Sequence, residues 1–329
     1  MTQLDNPTAS TSATATAGAP GSRHDDTSPA KRGQNPTKIK DSRGQTIFLI
    51  VNVVILIGVV LATLIPFVNV IAKAFSSASA INAGRVTFWP VGFNLTTFQQ
   101  IAGDPAFWGY YRNTVMYTVL GTLISLFMTA TYAYAISKKE LVGKSFFTGL
   151  AVFTMFFAGG LIPNYILIQK LGLMNTIWAV LLPSAIAVFN LLVMKSFFEG
   201  FPTELEEAAR VDGLKTYGVF FRIVVPLSKA VLATMTLFYA VAYWNSWFPA
   251  SLYLTKADNL RPVTIYLRNL MQSNFGNEAA AGQSPDMMVQ INANIKSVAI
   301  ILTMLPILCV YPFVQRYFVS GVMLGAVKS

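Results

Sequence analysis

The chain has 329 residues, 54% hydrophobic and 12% charged, about half the charged share of an ordinary soluble domain. One cysteine, Cys309, lies in an apolar run, and one histidine, His24, in a polar stretch. That excludes a disulfide framework, Cys-x-x-Cys chemistry and most histidine-dependent catalysis or transition-metal sites. The net charge of +10 comes without a basic stripe interleaved with aromatics, so nucleic acid is not read as a partner. The composition is that of an all-α, multi-span membrane protein, because the apolar runs are continuous rather than alternating as in a barrel.

Residues 1–46 are rich in Thr, Ala, Ser, Pro and Gly and read as a disordered cytoplasmic tail. They lack the apolar centre of a secretory signal peptide. The remainder, 47–329, reads as one transmembrane domain. A first apolar run, Ile47 to about Ile71, is long enough to cross ~30 Å of hydrocarbon. The second span is expected over about Asn113–Ile136, followed by a short basic loop with Lys138, Lys139 and Lys144. The third, about Phe146–Ile168, contains Gly159, Gly160 and Pro163, a combination that kinks or breaks a helix. The fourth runs from about Thr176 to Met194 and the fifth from about Ala230 to Leu252. A polar segment then leads to a sixth span, about Ser297–Phe318.

Between spans four and five lies Glu204 to Leu227, polar where its surroundings are apolar. Pro202 and Thr203, with Glu206 three residues on, form a capping-box pattern at a helix start. Glu204, Glu206 and Glu207 put negative charge at the positive end of that helix's dipole. Ala208 and Ala209 keep its middle thin enough for another protein to approach closely. Asp212 and Gly213 stop it, since glycine tolerates the left-handed conformation at a helix C-terminus. A second amphipathic turn follows, with Tyr217, Phe220 and Phe221 as its apolar residues. Composition alone also allows a helix lying passively on the membrane surface.

Positive charge sets the orientation. The tail, the loops after spans two and four, and the C-terminal segment hold sixteen of the 24 Lys and Arg, so these segments are expected in the cytoplasm. Six spans then leave both termini cytoplasmic. Gly143-Lys144-Ser145 looks like the end of a phosphate-binding loop, but Lys138 occupies the position of the required first glycine and no strand precedes it. No Asp, Glu, Lys, Arg or His falls mid-span, which argues against a proton-coupled carrier and an intramembrane protease. Energy for any pumping must come from elsewhere.

Glu207-Ala208-Ala209, three residues, Gly213, nine residues, Ile223, one residue and Val225-Pro226 together resemble the EAA loop of ABC-importer permeases. Val225 replaces the family's usual leucine. Further stretches resemble the smaller permease of the maltose-type, carbohydrate-uptake branch, oligo- and polysaccharide subgroup. These are Gly160 to Pro163, Leu171 to Thr176, Ser196 to Phe198, Trp244 to Phe248 and Gln315 to Lys328. The resemblance implies a type I ABC importer permease fold in a bacterial cell membrane and a coupling role for Glu207, Ala208, Ala209, Arg210, Asp212, Gly213, Ile223 and Pro226. It also implies a second permease subunit, two ATPase subunits that hold the ATP and Mg, an extracellular solute-binding protein and a sugar substrate. No catalytic residue, cofactor or metal is expected on this chain.

For sugar contact the residue types favour Tyr243, Trp244, Asn245 and Trp247. Aromatic faces stack on pyranose C–H faces, and an amide both donates to and accepts from hydroxyls. The same residues also fit an interfacial aromatic belt. The external segment Ser273 to Met288, with Gly276, Gly282 and Pro285, is expected to help displace sugar from the docked binding protein. The competing reading, a channel or secondary carrier uncoupled from ATP, would be expected to show two-half repeats or buried charges.

Overall fold

A computed structural model describes residues 43–272 and 293–309, all helix and connecting segments. The expected tail up to residue 42, the Ser273 to Met288 segment and the end of the sixth span lie outside the described residues; the last four residues assigned to the tail, 43–46, are helical as the start of α1. The chain divides after Ile57 into two units. The first holds the start of α1 (Arg43–Ala74), whose side chains from 44 to 57 are exposed and mostly apolar. The second begins at Gly58 and contains the rest.

In that second unit α2 (Ala78–Asn82) and α3 (Thr96–Gly103) lead to α4 (Pro105–Ser137). Asp104 starts α4 firmly: its carboxylate accepts the Ala106 N–H at 2.9 Å, and Pro105 takes the first position, where no N–H is needed. At 1.5 Å per residue α4 is about 50 Å long, so it runs past the hydrocarbon at one end or both. The expected second span makes up nearly all of α4 after its first two turns.

The third expected span breaks as its glycines require. α5 (Lys144–Phe156) and α6 (Leu161–Lys170) meet at a bend of 116°, with Gly160 at φ +87°. The fourth also bends, by 50°, between α7 (Ile177–Leu181, continued by a tight turn over Leu182–Ser184) and α8 (Val188–Glu199). Its apolar sequence gives no sign of this beyond Pro183. Next come α9 (Thr203–Val211) and α10 (Thr216–Leu227), which turns 83° into α11 (Lys229–Trp244). Asn245 to Trp247 then interrupt the fifth expected span before α12 (Phe248–Tyr253). α13 (Val263–Gln272) and α14 (Ala293–Cys309) complete the described residues. Among them α1 and α4 are long and apolar enough to cross a membrane unbroken, and the three bent pairs bring the crossings to as many as 5. α14 is the start of the sixth apolar run.

Two tyrosines one turn apart on α11 hold the bent fourth span against α4. The Tyr239 hydroxyl accepts the Ala187 N–H at 3.1 Å, a donor released by the break, and pairs with Thr129 Oγ1 at 2.6 Å. Tyr243 donates to the Leu181 carbonyl at 3.2 Å; its one proton thus spent, it accepts from Ser125 Oγ at 3.0 Å. Irregular backbone at membrane depth persists only when its polar groups are satisfied this way. Gly121 completes the α4–α11 contact, because a Cβ there would lie 2.7 Å from the Tyr243 ring. Gly121→Ala should therefore cost about 1–3 kcal/mol through overpacking. Thermal unfolding of the purified protein checks this; an unchanged midpoint would show that the helices simply separate to make room.

Candidate functional site

The segment from Pro202 to Leu227 folds as two short helices against the Ser137 end of α4. The expected capping box does not form. Thr203 is the first helical residue, Pro202 sits at the cap, and no side chain bonds the free N–H groups there. The physical reason is that Glu206 is drawn elsewhere. Glu206 is 7% exposed; its carboxylate forms an ion pair with Lys138 just past α4, and the Tyr134 hydroxyl approaches it at 3.4 Å. The Lys138 ammonium also lies 4.2 Å from the centre of the Tyr134 ring. Tyr134 in turn packs against Phe220 of α10 at 4.9 Å and Phe198 of α8 at 6.0 Å. Sequence reasoning missed Tyr134 and Lys138 as partners of this segment, since each lies some 70 residues away from it.

The C-terminus of α9 follows expectation closely. Gly213 has φ +85°, its N–H bonds the Arg210 carbonyl, and the Leu214 N–H reaches back to Ala209, both at 3.0 Å. These two bonds make a Schellman closure. Ala209 is buried beside Leu214, whereas Glu207, Ala208, Arg210, Asp212 and Gly213 are exposed. Val211 is 88% exposed and Tyr217 81%, so an apolar pair projects from an otherwise charged crest. Tyr217 thus departs from its expected packing role; of the three apolar residues only Phe220 is fully buried. Ile223 packs at the edge of the core and Pro226 is exposed. Ahead of Pro226 the helix widens into a π turn over Phe220–Val224. Proline has no N–H to give the carbonyl four residues back and its ring needs space there, which a wider turn supplies.

A second ionic cluster lies close by. Glu199 accepts from Lys144 at 2.7 Å and Lys195 at 2.9 Å, and the two lysines hold its carboxyl below its ordinary acidity range. Lys144, Ser145, Thr148, Gly149, Val152 and Lys195 line an open groove of about 560 Å³. Lys144 is therefore committed to Glu199 rather than presented by a phosphate loop.

The four sugar-contact candidates part company. Tyr243 is 5% exposed, with its ring against Gly121 and its hydroxyl bonded as above. Trp244 is buried, donates to the Thr303 carbonyl at 3.1 Å and stands edge-on to Tyr111. Asn245 and Trp247 are exposed in the break between α11 and α12. Arg268, which sequence reasoning passed over, lies across the Trp247 ring 3.8 Å from its centre.

The family model for a binding-protein-dependent transport system inner membrane component matches residues 105–323, from the start of α4 almost to the C-terminus. The chain belongs to this family. It is thus a non-catalytic permease subunit, embedded in the membrane by several crossings. The permease is 38% identical to the protein LplC of Bacillus subtilis over 295 residues, 88% of this chain and 97% of that one. It is 36% identical to the polygalacturonan/rhamnogalacturonan transport system permease protein YtcP of Bacillus subtilis, across 82% of this chain and 94% of the relative. A crystal structure of a bacterial ABC transporter involved in the import of the acidic polysaccharide alginate superposes with TM-score 0.78 at 33% identity. That match covers 84% of this chain and 98% of the solved one.

Proposed function

We propose that the permease is one half of the membrane pathway of an ATP-driven importer that takes up an oligosaccharide delivered by an extracellular solute-binding protein. It pairs with a second permease subunit and rests on two ATPase subunits, which hold the ATP and Mg. α9 is its coupling helix. The observation that carries this reading is the two-sided build of that helix. Glu206 and Ala209 lock it to α4 and the core, while Glu207, Ala208, Val211 and Asp212 present a charged and apolar crest with no partner in the described chain. A passive surface helix needs no buried ion pair to a transmembrane helix; a lever does. On this reading the Lys138 end of α4 faces the cytoplasm, with both termini on that side.

Relatives named for polygalacturonan, rhamnogalacturonan and alginate bring carboxylate-bearing oligosaccharides into the substrate range. Sugar contact belongs to Asn245 and Trp247, with Tyr243 and Trp244 as the packed platform behind them.

Reconstitution tests this. The purified permease pair should turn over no ATP, and adding the ATPase subunits and the sugar-loaded binding protein should produce hydrolysis together with uptake. Glu207→Lys, which reverses one charge on the exposed crest, should collapse both activities while the subunit still reaches the membrane. Sugar uptake by the permease without ATPase subunits would instead favour the secondary carrier or channel.

A further inference from the structure

We propose that Arg268, spread on the indole of Trp247, is the cation by which this permease selects carboxylate-bearing oligosaccharides over neutral ones; the inference rests on the sugar-import reading above. α13 has two working sides. Val263 and Leu267 are buried with Phe107, Ile295 and Val298. Thr264 and Arg268, one turn apart, lie instead toward the break in the fifth span. There Thr264 Oγ1 donates to the Ser246 carbonyl at 3.2 Å, and the Arg268 guanidinium covers the Trp247 ring at 3.8 Å.

That break is the right kind of place for a ligand. α11 has 16 residues, so its last turn lies about 24 Å along the helix from the bend at Ser228. Non-helical backbone near that depth persists only where protein buries it or water reaches it. Trp247 is 37% exposed and Asn245 is exposed as well, so this chain's own packing leaves the break open. The Asn245 amide N–H₂ donates to the Val241 carbonyl at 2.8 Å. Its oxygen accepts from no group among the described residues.

Arg268 itself is half-buried, yet among the described residues no carboxylate comes within ion-pair distance of it. The two acids of the described external segments, Asp104 and Asp258, are engaged elsewhere. Asp104 accepts from Tyr266 at 2.6 Å and from the Ala106 N–H, and Asp258 pairs with Arg261 at 2.7 Å. A guanidinium removed in part from water without a counter-anion is costly to hold, and the indole face offsets only some of that cost. Stacking, however, fixes the guanidinium plane and leaves its in-plane N–H groups free, the arrangement that grips a carboxylate through two parallel bonds. Trp247, with the Phe248 ring at 5.5 Å, stays partly exposed and so open to a pyranose ring. The segments on this side of the membrane hold eight Lys and Arg against four Asp and Glu, a field that draws a polyanion toward the opening.

The test uses the complete importer in proteoliposomes, with partner permease, ATPase subunits and binding protein. Two probe sets are compared: uronate trisaccharides (galacturonate and mannuronate) and the same trisaccharides after carboxyl reduction. One binding protein serves every variant, so any change in the acidic-to-neutral uptake ratio belongs to the permease. Arg268→Gln should lower acidic uptake about tenfold more than neutral uptake, the weight of one charge-assisted fork. Arg268→Lys, which keeps the charge but loses the planar fork, should fall between. Neutral uptake that persists also shows that the variant folds and assembles. If Arg268→Gln lowers both probes equally, or neither, the selectivity role is wrong and sugar import stands. A wild-type complex that moves neither probe set overturns the import reading for these glycans and this inference with it.

Discussion

Glu206→Lys should abolish uptake, and adding Lys138→Glu should restore a large part of it. Glu206 is the inward anchor of α9, and its only cationic partner among the described residues is Lys138, at the end of the longest helix of the second unit. Removing one member of a buried pair leaves the other charged and largely out of water, at a cost of about 3–5 kcal/mol. Reversing it adds repulsion to that loss. α9 would then swing away from α4, and hydrolysis at the ATPase would no longer be felt by the crossing helices. The charge-reversed double variant rebuilds the pair with opposite polarity. Recovery should stop short of complete, because a carboxylate at position 138 would face the electron-rich ring of Tyr134, where the Lys138 ammonium enjoys an attraction at 4.2 Å. Uptake and ATPase rate measured in the same proteoliposomes separate the outcomes. A double variant no better than Glu206→Lys would mean that the pair is incidental and that Glu206 acts through something else.

This anchor shows where sequence reading stops. α9's location and its stop at Gly213 were legible, because dipole and glycine preferences act within a few residues. So was the break at Gly159 and Gly160. The role of Glu206 was not. Locally it completes a capping box with Thr203, and only the fold brings Lys138, 68 positions upstream, close enough to outbid that local bond. The fourth span's bend was equally hidden, since it is held by the tyrosine hydroxyls of another helix rather than by its own sequence. At the opposite end, residue type alone grouped Tyr243 to Trp247 as sugar contacts. Helical rotation separates them: Tyr243 and Trp244 turn into the protein, and only the residues released by the end of α11 stay open. Arg268 escaped notice because a lone arginine in a polar segment has no pattern; its meaning comes from the ring beneath it.

Gly213→Val should uncouple the importer, and Gly213→Asn should not. No atom of the described residues lies within 4 Å of where a Cβ at Gly213 would stand, so crowding among them plays no part. What the position demands is φ +85°. A β-branched residue there is a true outlier, and the left-handed conformation costs it at least about 1–2 kcal/mol. The cheapest relief is to unwind the end of α9. That breaks the Leu214 to Ala209 and Gly213 to Arg210 bonds, lifts Leu214 from the core and tilts the crest carrying Val211 and Asp212. Sugar uptake and binding-protein-stimulated ATPase should both fall by tenfold or more, roughly the 1.4 kcal/mol equivalent of the strain, in a complex that still assembles. Asparagine is the decisive control, because it adds a side chain of similar bulk yet tolerates the left-handed region. If Gly213→Asn is as inactive as Gly213→Val, backbone strain is not the cause. The requirement at this position would then be a bare surface, pressed against a partner that leaves no room for any side chain.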